Sequence, residues 1–315
     1  MMVKLSVIII LLFSLLTGCG ENEESNELPE LLWQPTAPTG TTFIQVILAT
    51  PDDRLYIGTG DGILRSDNGG NSWIRSGLEG YKIISLAYSE TALFAGADVE
   101  YINEHGKLIP AKGGLFRSDD GGIRWIPLGF ERNSVGQLLV VGRTIFAGTD
   151  KGLFRSDDSG NTWRRIPEIS FIVSMAATKG ILFVIDKGGR RFSRSADLGN
   201  TWQIIDFLNW PQDVVAGDSD LFVVRHFGVE QKMIYRSTDL GETWTHIGNL
   251  DLPQSPIVLD SAFYAGVRGV MRWTPKRGWE LVGLEDYDIS SLSASDNYLY
   301  AATWSGKVFR ARLSR

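Results

Sequence analysis

The chain has a single cysteine, Cys19, among its 315 residues. One cysteine cannot build an internal disulfide framework. Histidine is scarce as well: His105, His226 and His246 are the only three, and no two stand at a metal-pairing spacing. Basic residues are in deficit, with 31 Lys+Arg against 37 Asp+Glu and a net charge of −6. A nucleic-acid groove needs a basic face, so composition argues against that partner. No long apolar run follows the start of the chain. There, Leu5–Leu16 is almost entirely apolar behind Lys4. That run is too short to cross a ~30 Å hydrocarbon core comfortably and reads as the h-region of an export signal. The segment Gly58-Thr59-Gly60-Asp61-Gly62 lacks the spacing of a dinucleotide fingerprint. No residue pattern supports a Ser-His-Asp triad, and none implies a cofactor or metal.

The signal ends in Leu16-Thr17-Gly18-Cys19. This resembles the bacterial lipobox, in which a cysteine receives a diacylglycerol before cleavage. The resemblance implies removal of residues 1–18, lipid attachment at Cys19 and an exported, membrane-anchored protein. Gly20 in place of Asp implies the outer membrane or cell surface. Residues 19–30 carry Glu21, Glu23, Glu24, Glu27 and Glu30 with little hydrophobicity, the signature of a disordered tether. Its eleven residues after the cysteine reach at most about 35–40 Å. The body, residues 31–315, is close to neutral and is expected to be a monomeric unit whose partner is not chosen by bulk charge.

Repeats organise that body. Five near-copies run from Arg65 to Trp73, Arg117 to Trp125, Arg155 to Trp163, Arg194 to Trp202 and Arg236 to Trp244, with a worn sixth from Arg272 to Trp279. Successive tryptophans are 52, 38, 39, 42 and 35 residues apart. A β-rich run such as Leu93-Phe94-Ala95-Gly96 and a short second strand precede each copy, and an earlier apolar strand comes before both. The Trp opens a fourth strand. Four short strands about every 40 residues predict one blade of a β-propeller. The last repeat stops before any Trp, but Leu31-Leu32-Trp33-Gln34 offers the missing strand from the other end of the chain. The expectation is therefore an all-β fold: one seven-bladed propeller of four-stranded blades, the last closed by an N-terminal strand.

The copies contain Ser66, Asn68 and Trp73; Ser118, Asp120 and Trp125; Ser156, Asp158 and Trp163; Ser195, Asp197 and Trp202; Ser237, Asp239 and Trp244. The short acceptors suit backbone N–H groups in a tight hairpin. Gly160 and its equivalents permit positive φ. The tryptophans are expected to pack on the neighbouring blade. Five equivalent sites around a ring, with Asn68 where the others carry Asp, cannot converge on one substrate, and the motif lacks the further ligands of a calcium loop. One arginine per blade precedes each copy: Arg65, Arg117, Arg155, Arg194, Arg236, Arg272 and Arg310. Each is expected to lay its stem on apolar neighbours and bond turn carbonyls or carboxylates.

A binding site is expected on the opposite face, in the loops between second and third strands and between blades. The longest predicted loop, Ala97–Gly114, holds Tyr101 and His105. Arg190, Arg191, Trp210, His226, Tyr287 and Trp304 complete the candidate face. Aromatics with mixed charges suit protein or carbohydrate ligands.

The motif Ser-x-Asp-x-Gly-x-Thr-Trp resembles the Asp-box of the BNR-repeat families, over essentially all of residues 31–315. Within that superfamily the chain looks most like the photosystem II assembly and stability factors. That resemblance implies a non-catalytic scaffold for a protein partner. Sialidases share the boxes, but their Arg-Ile-Pro element precedes the first box, whereas Arg165-Ile166-Pro167 follows the third. Xyloglucan-cleaving relatives use a cleft between two propellers, and ten-bladed sortilin-type receptors add a Cys-rich module. The alternative function is a glycoside hydrolase with two carboxylates facing each other across the mouth.

Overall fold

The computed structural model describes residues 30–186, 191–207, 211–227, 231–251 and 253–313, with His226 and Phe227 described for their backbone alone. Cys19, Arg190 and Trp210 lie outside the described residues, as does the tether up to residue 29.

Among the described residues there are strands and turns and no helix. The first strand, β1 (Trp33–Pro35), joins the last blade. Blade 1 is β2 (Ile44–Ala49), β3 (Leu55–Thr59), β4 (Gly62–Ser66) and β5 (Ile74–Arg75). Blade 2 is β6 (Ile83–Tyr88), β7 (Leu93–Glu104), β8 (Lys107–Ser118) and β9 (Ile126–Pro127). Blade 3 is β10 (Val135–Val141), β11 (Thr144–Thr149), β12 (Gly152–Ser156) and β13 (Arg164–Ile166). Blade 4 is β14 (Ile172–Thr178), β15 (Ile181–Asp186), β16 (Arg191–Ser195) and β17 (Gln203–Ile204). Blade 5 is β18 (Pro211–Ala216), β19 (Leu221–Phe227), β20 (Gln231–Ser237) and β21 (Thr245–Asp251). Blade 6 is β22 (Gln254–Leu259), β23 (Ala262–Val267), β24 (Gly269–Thr274) and β25 (Gly278–Leu281). Blade 7 orders β26 (Ile289–Ala294), β27 (Tyr298–Thr303) and β28 (Val308–Arg312) inside β1. The first strands of the blades touch one another in sequence around an axis. The molecule is a seven-bladed β-propeller.

The N-terminal closure is as expected. Trp33, Gln34 and Pro35 pair with Ala311, Arg310 and Phe309 in antiparallel register. The Trp33 indole packs on the blade 6–blade 7 core, and its Nε1–H donates to the Val282 carbonyl at 2.7 Å.

Second strands lie between neighbouring blades and are buried on both faces, which is why they read as unbroken apolar runs. Each carries an aromatic ring at one fixed position: Tyr56, Phe94, Phe146, Phe183, Phe222, Tyr264 and Tyr300, all 4% exposed or less. Across the strand pair from each ring stands that blade's arginine, from Tyr56 opposite Arg65 to Tyr300 opposite Arg310. The cross-strand pairing covers the ring and holds the guanidinium in place.

Five of these arginines then reach across to the next blade. Arg65 donates to the Gly121 carbonyl, Arg117 to Ser159, Arg155 to Leu198, Arg194 to Leu240 and Arg310 to Gly69, at 2.5–2.9 Å. Each acceptor is the turn residue in the left-handed region, φ 57–70°. The chain of stitches stops where its acceptor is missing. Blade 6 has Pro275 in its turn, and Arg236 pairs instead with buried Asp220 at 3.0 Å and lies over the Trp273 ring. Blade 7 has no third-to-fourth-strand hairpin, because β1 comes from the other end of the chain. Arg272 pairs instead with Glu280 at 2.8 Å. A contrast follows. Arg155→Met, which keeps the stem, should cost about 1.5 kcal/mol for one charge-assisted bond. Arg236→Met should cost more, about 2 kcal/mol after screening, because it leaves the Asp220 carboxylate buried without its cation. Urea melts of the two variants measure both, and the reverse order would refute the distinction.

The repeated motif closes its own turn. Ser156 Oγ donates to Asp158 at 2.7 Å and accepts the Gly160 N–H at 2.8 Å, while Asp158 accepts the Thr162 N–H at 2.8 Å. Ser66–Asn68, Ser118–Asp120, Ser195–Asp197 and Ser237–Asp239 repeat the pattern. The Thr162 hydroxyl, with its backbone N–H next, draws the Asp158 carboxyl down to about 2. The Arg124 N–H holds Asp120 well below the usual carboxylate range, and the Thr201 and Thr243 hydroxyls hold Asp197 and Asp239 there too. These acids stay ionised and occupied at neutral pH. The indoles pack on the preceding blade: Trp73 and Trp125 donate to the Ala37 and Ser76 carbonyls, and Trp163 to its own Gly160. Trp202 and Trp244 pack the same way with no partner for Nε1.

Candidate functional site

Every first strand enters the channel with a β-bulge near its start, as at Ile44/Val46, Ile83/Ser85, Ile172/Ser174 and Pro211/Asp213. The bulge tightens the twist and aims the next side chain at the axis. The residues after the bulges ring the upper channel, a cavity of about 420 Å³ whose wall includes Val46, Ser85, Gln137, Ser174 and Asp213. Most of the ring is neutral. Ser85 Oγ donates to the Val135 carbonyl of the next blade, and Ser291 Oγ accepts the Ile47 N–H. Among the described residues, Asp213 is the one ionisable group in the wall. It accepts the Ser174 hydroxyl across the blade 4–blade 5 seam. Burial, outweighing that bond and the Val214 N–H, pushes its carboxyl up to about 6.

Around the mouth, the residue just before the first strand sets the rim. Phe43 precedes β2 and Phe171 precedes β14, exposed by 40% and 43%. Phe43 also packs on Trp304, with ring centroids 4.8 Å apart. Sequence reasoning missed Phe43 and Phe171. Their signal was available in the position preceding each repeat's first apolar strand.

The segment expected as a long loop at Ala97–Gly114 is instead a β-hairpin arm. β7 and β8 continue past the blade and pair Tyr101 with Pro110, Ile102 with Ile109, Asn103 with Leu108 and Glu104 with Lys107. His105 and Gly106 turn the arm with φ of 51° and 81°, the geometry of a two-residue type I′ hairpin. Its strands are 12 residues long, against five in the same place in blade 1, and Val99, Tyr101, Ile102 and Ile109 supply β-branched and aromatic residues beyond Gly96. Glu100 and Lys112 brace it at 3.0 Å, and Lys82 and Asp98 at 2.9 Å. Tyr101, Ile102 and Leu108 are exposed by 53%, 44% and 67%.

Other candidates fall differently. Arg191 opens β16 rather than lying in a loop, and it donates to the Glu168 carbonyl at 3.0 Å. His226 belongs to β19 and pairs with Lys232 through the backbone, because the second-strand run extends to the blade end. Tyr287 is not an open rim aromatic. It is half-buried against Phe309, with Lys307 4.8 Å above its ring. Trp304 is half-buried beneath Phe43. Tyr101 and His105 thus stand in the blade 2 arm, Phe171 precedes blade 4, and Trp304 is joined to Phe43 alone of this set. Among the described residues, no group of three or more His, Cys, Asp or Glu is arranged to hold a metal ion.

No family model and no curated protein sequence matches the chain. Solved structures do resemble it. The GH74 xyloglucanase of Xanthomonas campestris superposes with a TM-score of 0.67 over 90% of this chain at 18% identity. YCF48 bound to D1 peptide gives 0.66 over 91% at 12% identity, and virginiamycin B lyase of Staphylococcus aureus 0.68 over 90% at 14%. The likeness is one of fold. This chain spans 54% of the xyloglucanase, but 98% of YCF48 and 100% of the lyase.

Proposed function

We propose that the protein is a lipid-anchored, extracytoplasmic scaffold that binds a protein partner through its mouth face, without catalysis. One observation carries this reading. Blade 2 extends an arm that the propeller does not need for closure, and its end carries exposed Tyr101, Ile102 and Leu108, while Phe43 and Phe171 are exposed just before the first strands of blades 1 and 4. Aromatic and aliphatic side chains exposed on one face mark interaction surfaces. The full-length likeness to a propeller solved with a bound peptide is consistent with it. The hydrolase reading draws on the likeness to the xyloglucanase, yet paired-carboxylate chemistry needs two acids within about 5–10 Å. Among the described residues lining the channel, Asp213 is the only acid.

A photo-crosslinking residue at position 101 should trap a discrete partner in intact cells, and one at Ile123, exposed by 67% on the far face, should not. Equal adducts at both positions, or none at 101, would overturn the reading. The anchor is tested separately. Cys19→Ala should release the protein from membranes, and unchanged retention would refute lipidation.

A further inference from the structure

We propose that the upper channel is a receptor for an alkylammonium group, paired with the Asp213 carboxylate. The inference is independent of the arm and goes beyond the protein-binding role. It starts from charge placement. Among the described residues the ring of side chains after the bulges is otherwise hydroxyl, amide or aliphatic, so Asp213 puts one negative charge in the wall of a cavity of about 420 Å³. No ion pair to Asp213 is formed among the described residues. Lys232 attracts it from a distance, but the Lys232 ammonium is bonded to Gln212. Of the other elements packed on β18, β19 carries Arg225, which donates to Met233, and His226, β15 carries Asp186, which accepts the Ser170 hydroxyl and lies 3.7 Å from Arg191, and β14 and β22 bring only neutral residues. Asp213 is half-buried, and a carboxylate partly withdrawn from water without a bonded cation carries a free-energy cost that an entering cation offsets.

The wall selects the kind of cation. Calcium takes about six to eight oxygen ligands, which one carboxylate cannot supply. A guanidinium binds best to both oxygens of a carboxylate at once, and one oxygen of Asp213 already holds Ser174. An ammonium needs a single strong acceptor and neutral ones for its remaining donors. Gln137, Ser85 and Ser255 offer these, while Leu138 and Met175 suit a methylene stem. The group could arrive as a lysine side chain of a polypeptide or as a free amine.

Titration calorimetry on the full chain in detergent distinguishes these sources. The probes are blocked Gly-Lys-Gly, its isostere blocked Gly-norleucine-Gly, and n-butylammonium. The lysine peptide should bind at least about tenfold more tightly than the norleucine peptide, as expected of one charge-assisted bond. Asp213→Asn keeps an acceptor for Ser174 and should erase that preference. In the unaltered chain the preference should also fade as the pH drops through about 6, because Asp213 then takes up a proton. This arm needs no variant to fold. Tighter binding of the peptide than of butylammonium assigns the site to a polypeptide, and the reverse assigns it to a free amine. Equal binding of the lysine and norleucine peptides overturns the proposal, as does a preference that survives Asp213→Asn or is unchanged at pH 5.

Discussion

A chain that begins at Thr36 should melt far below one that begins at Glu30, and over a broader range. The residues lost include Leu31, which is 6% exposed, and Trp33, both set in the core shared by blades 6 and 7. Burying side chains of these sizes stabilises by about 1.5–3 kcal/mol each. The loss also breaks the Trp33–Val282 bond and the three-residue pairing with β28, leaving an unpaired sheet edge. A total near 5 kcal/mol is a large share of the ~5–15 kcal/mol that holds a domain folded. Trp33→Phe separates the parts. It keeps most of the ring and loses the bond, so it should cost about 1 kcal/mol. Trp202→Phe should cost less, since the Trp202 Nε1 has no partner to lose. Calorimetric melts of the four chains test this. If the chain from Thr36 melted within about 3 °C of the longer one, β1 would be a decoration rather than the clasp.

The closure was legible because its chemistry is local on both sides. Leu31–Gln34 carries a Trp in the context of a fourth strand, and the last repeat ends one strand short. The turns were legible for the same reason. Ser156, Asp158 and Gly160 satisfy one another within five residues, and such a motif shows in one dimension. The site was less so. His226 and Arg191 looked like loop residues because apolar pattern marks a strand's buried middle and not its solvent-facing ends. The Ala97–Gly114 arm hid its pairing for a related reason. Once a hairpin leaves the blade, both of its faces meet water, and Glu100, Lys112, Glu104 and Lys107 interrupt the alternation that would have revealed it. Asp213 was visible only as one acid among many. Its place on the axis depends on a bulge in β18, which no single repeat announces. The seven arginines were readable as ties, but the direction of the five that cross to the next blade requires the ring, since each of those donors and its acceptor are more than 40 residues apart or at opposite ends of the chain.

Gly96→Ala should destabilise the propeller by more than any other single methyl group discussed here. The second strand of blade 2 runs so close to the first strand of blade 3 that a Cβ at Gly96 would stand 2.3 Å from the Val135 carbonyl oxygen and 2.2 Å from Ser85 Oγ. The serine could rotate, but only by giving up its bond to that same carbonyl at 2.7 Å. The carbonyl cannot move without shifting β10 and the bulge that aims Gln137 into the channel. Gly58, Gly148 and Gly266 occupy the same place in blades 1, 3 and 6, with Cβ clearances of 2.8, 3.0 and 2.5 Å to the blade that follows. The glycine that ends each of these apolar runs is therefore an interface residue, set there so that two sheets approach without a side chain between them. Overpacking against backbone costs about 3–4 kcal/mol, or roughly 8–12 °C in a domain of this size. Gly136→Ala is the control. Its new methyl would meet nothing nearer than Ile84 Cδ1 at 3.8 Å, and it should be neutral or stabilising by about 0.5 kcal/mol. Thermal melts that placed the two variants together would show that the blades have slack at this seam. The close approach at Gly96 would then not be what holds β10 and its bulge in place.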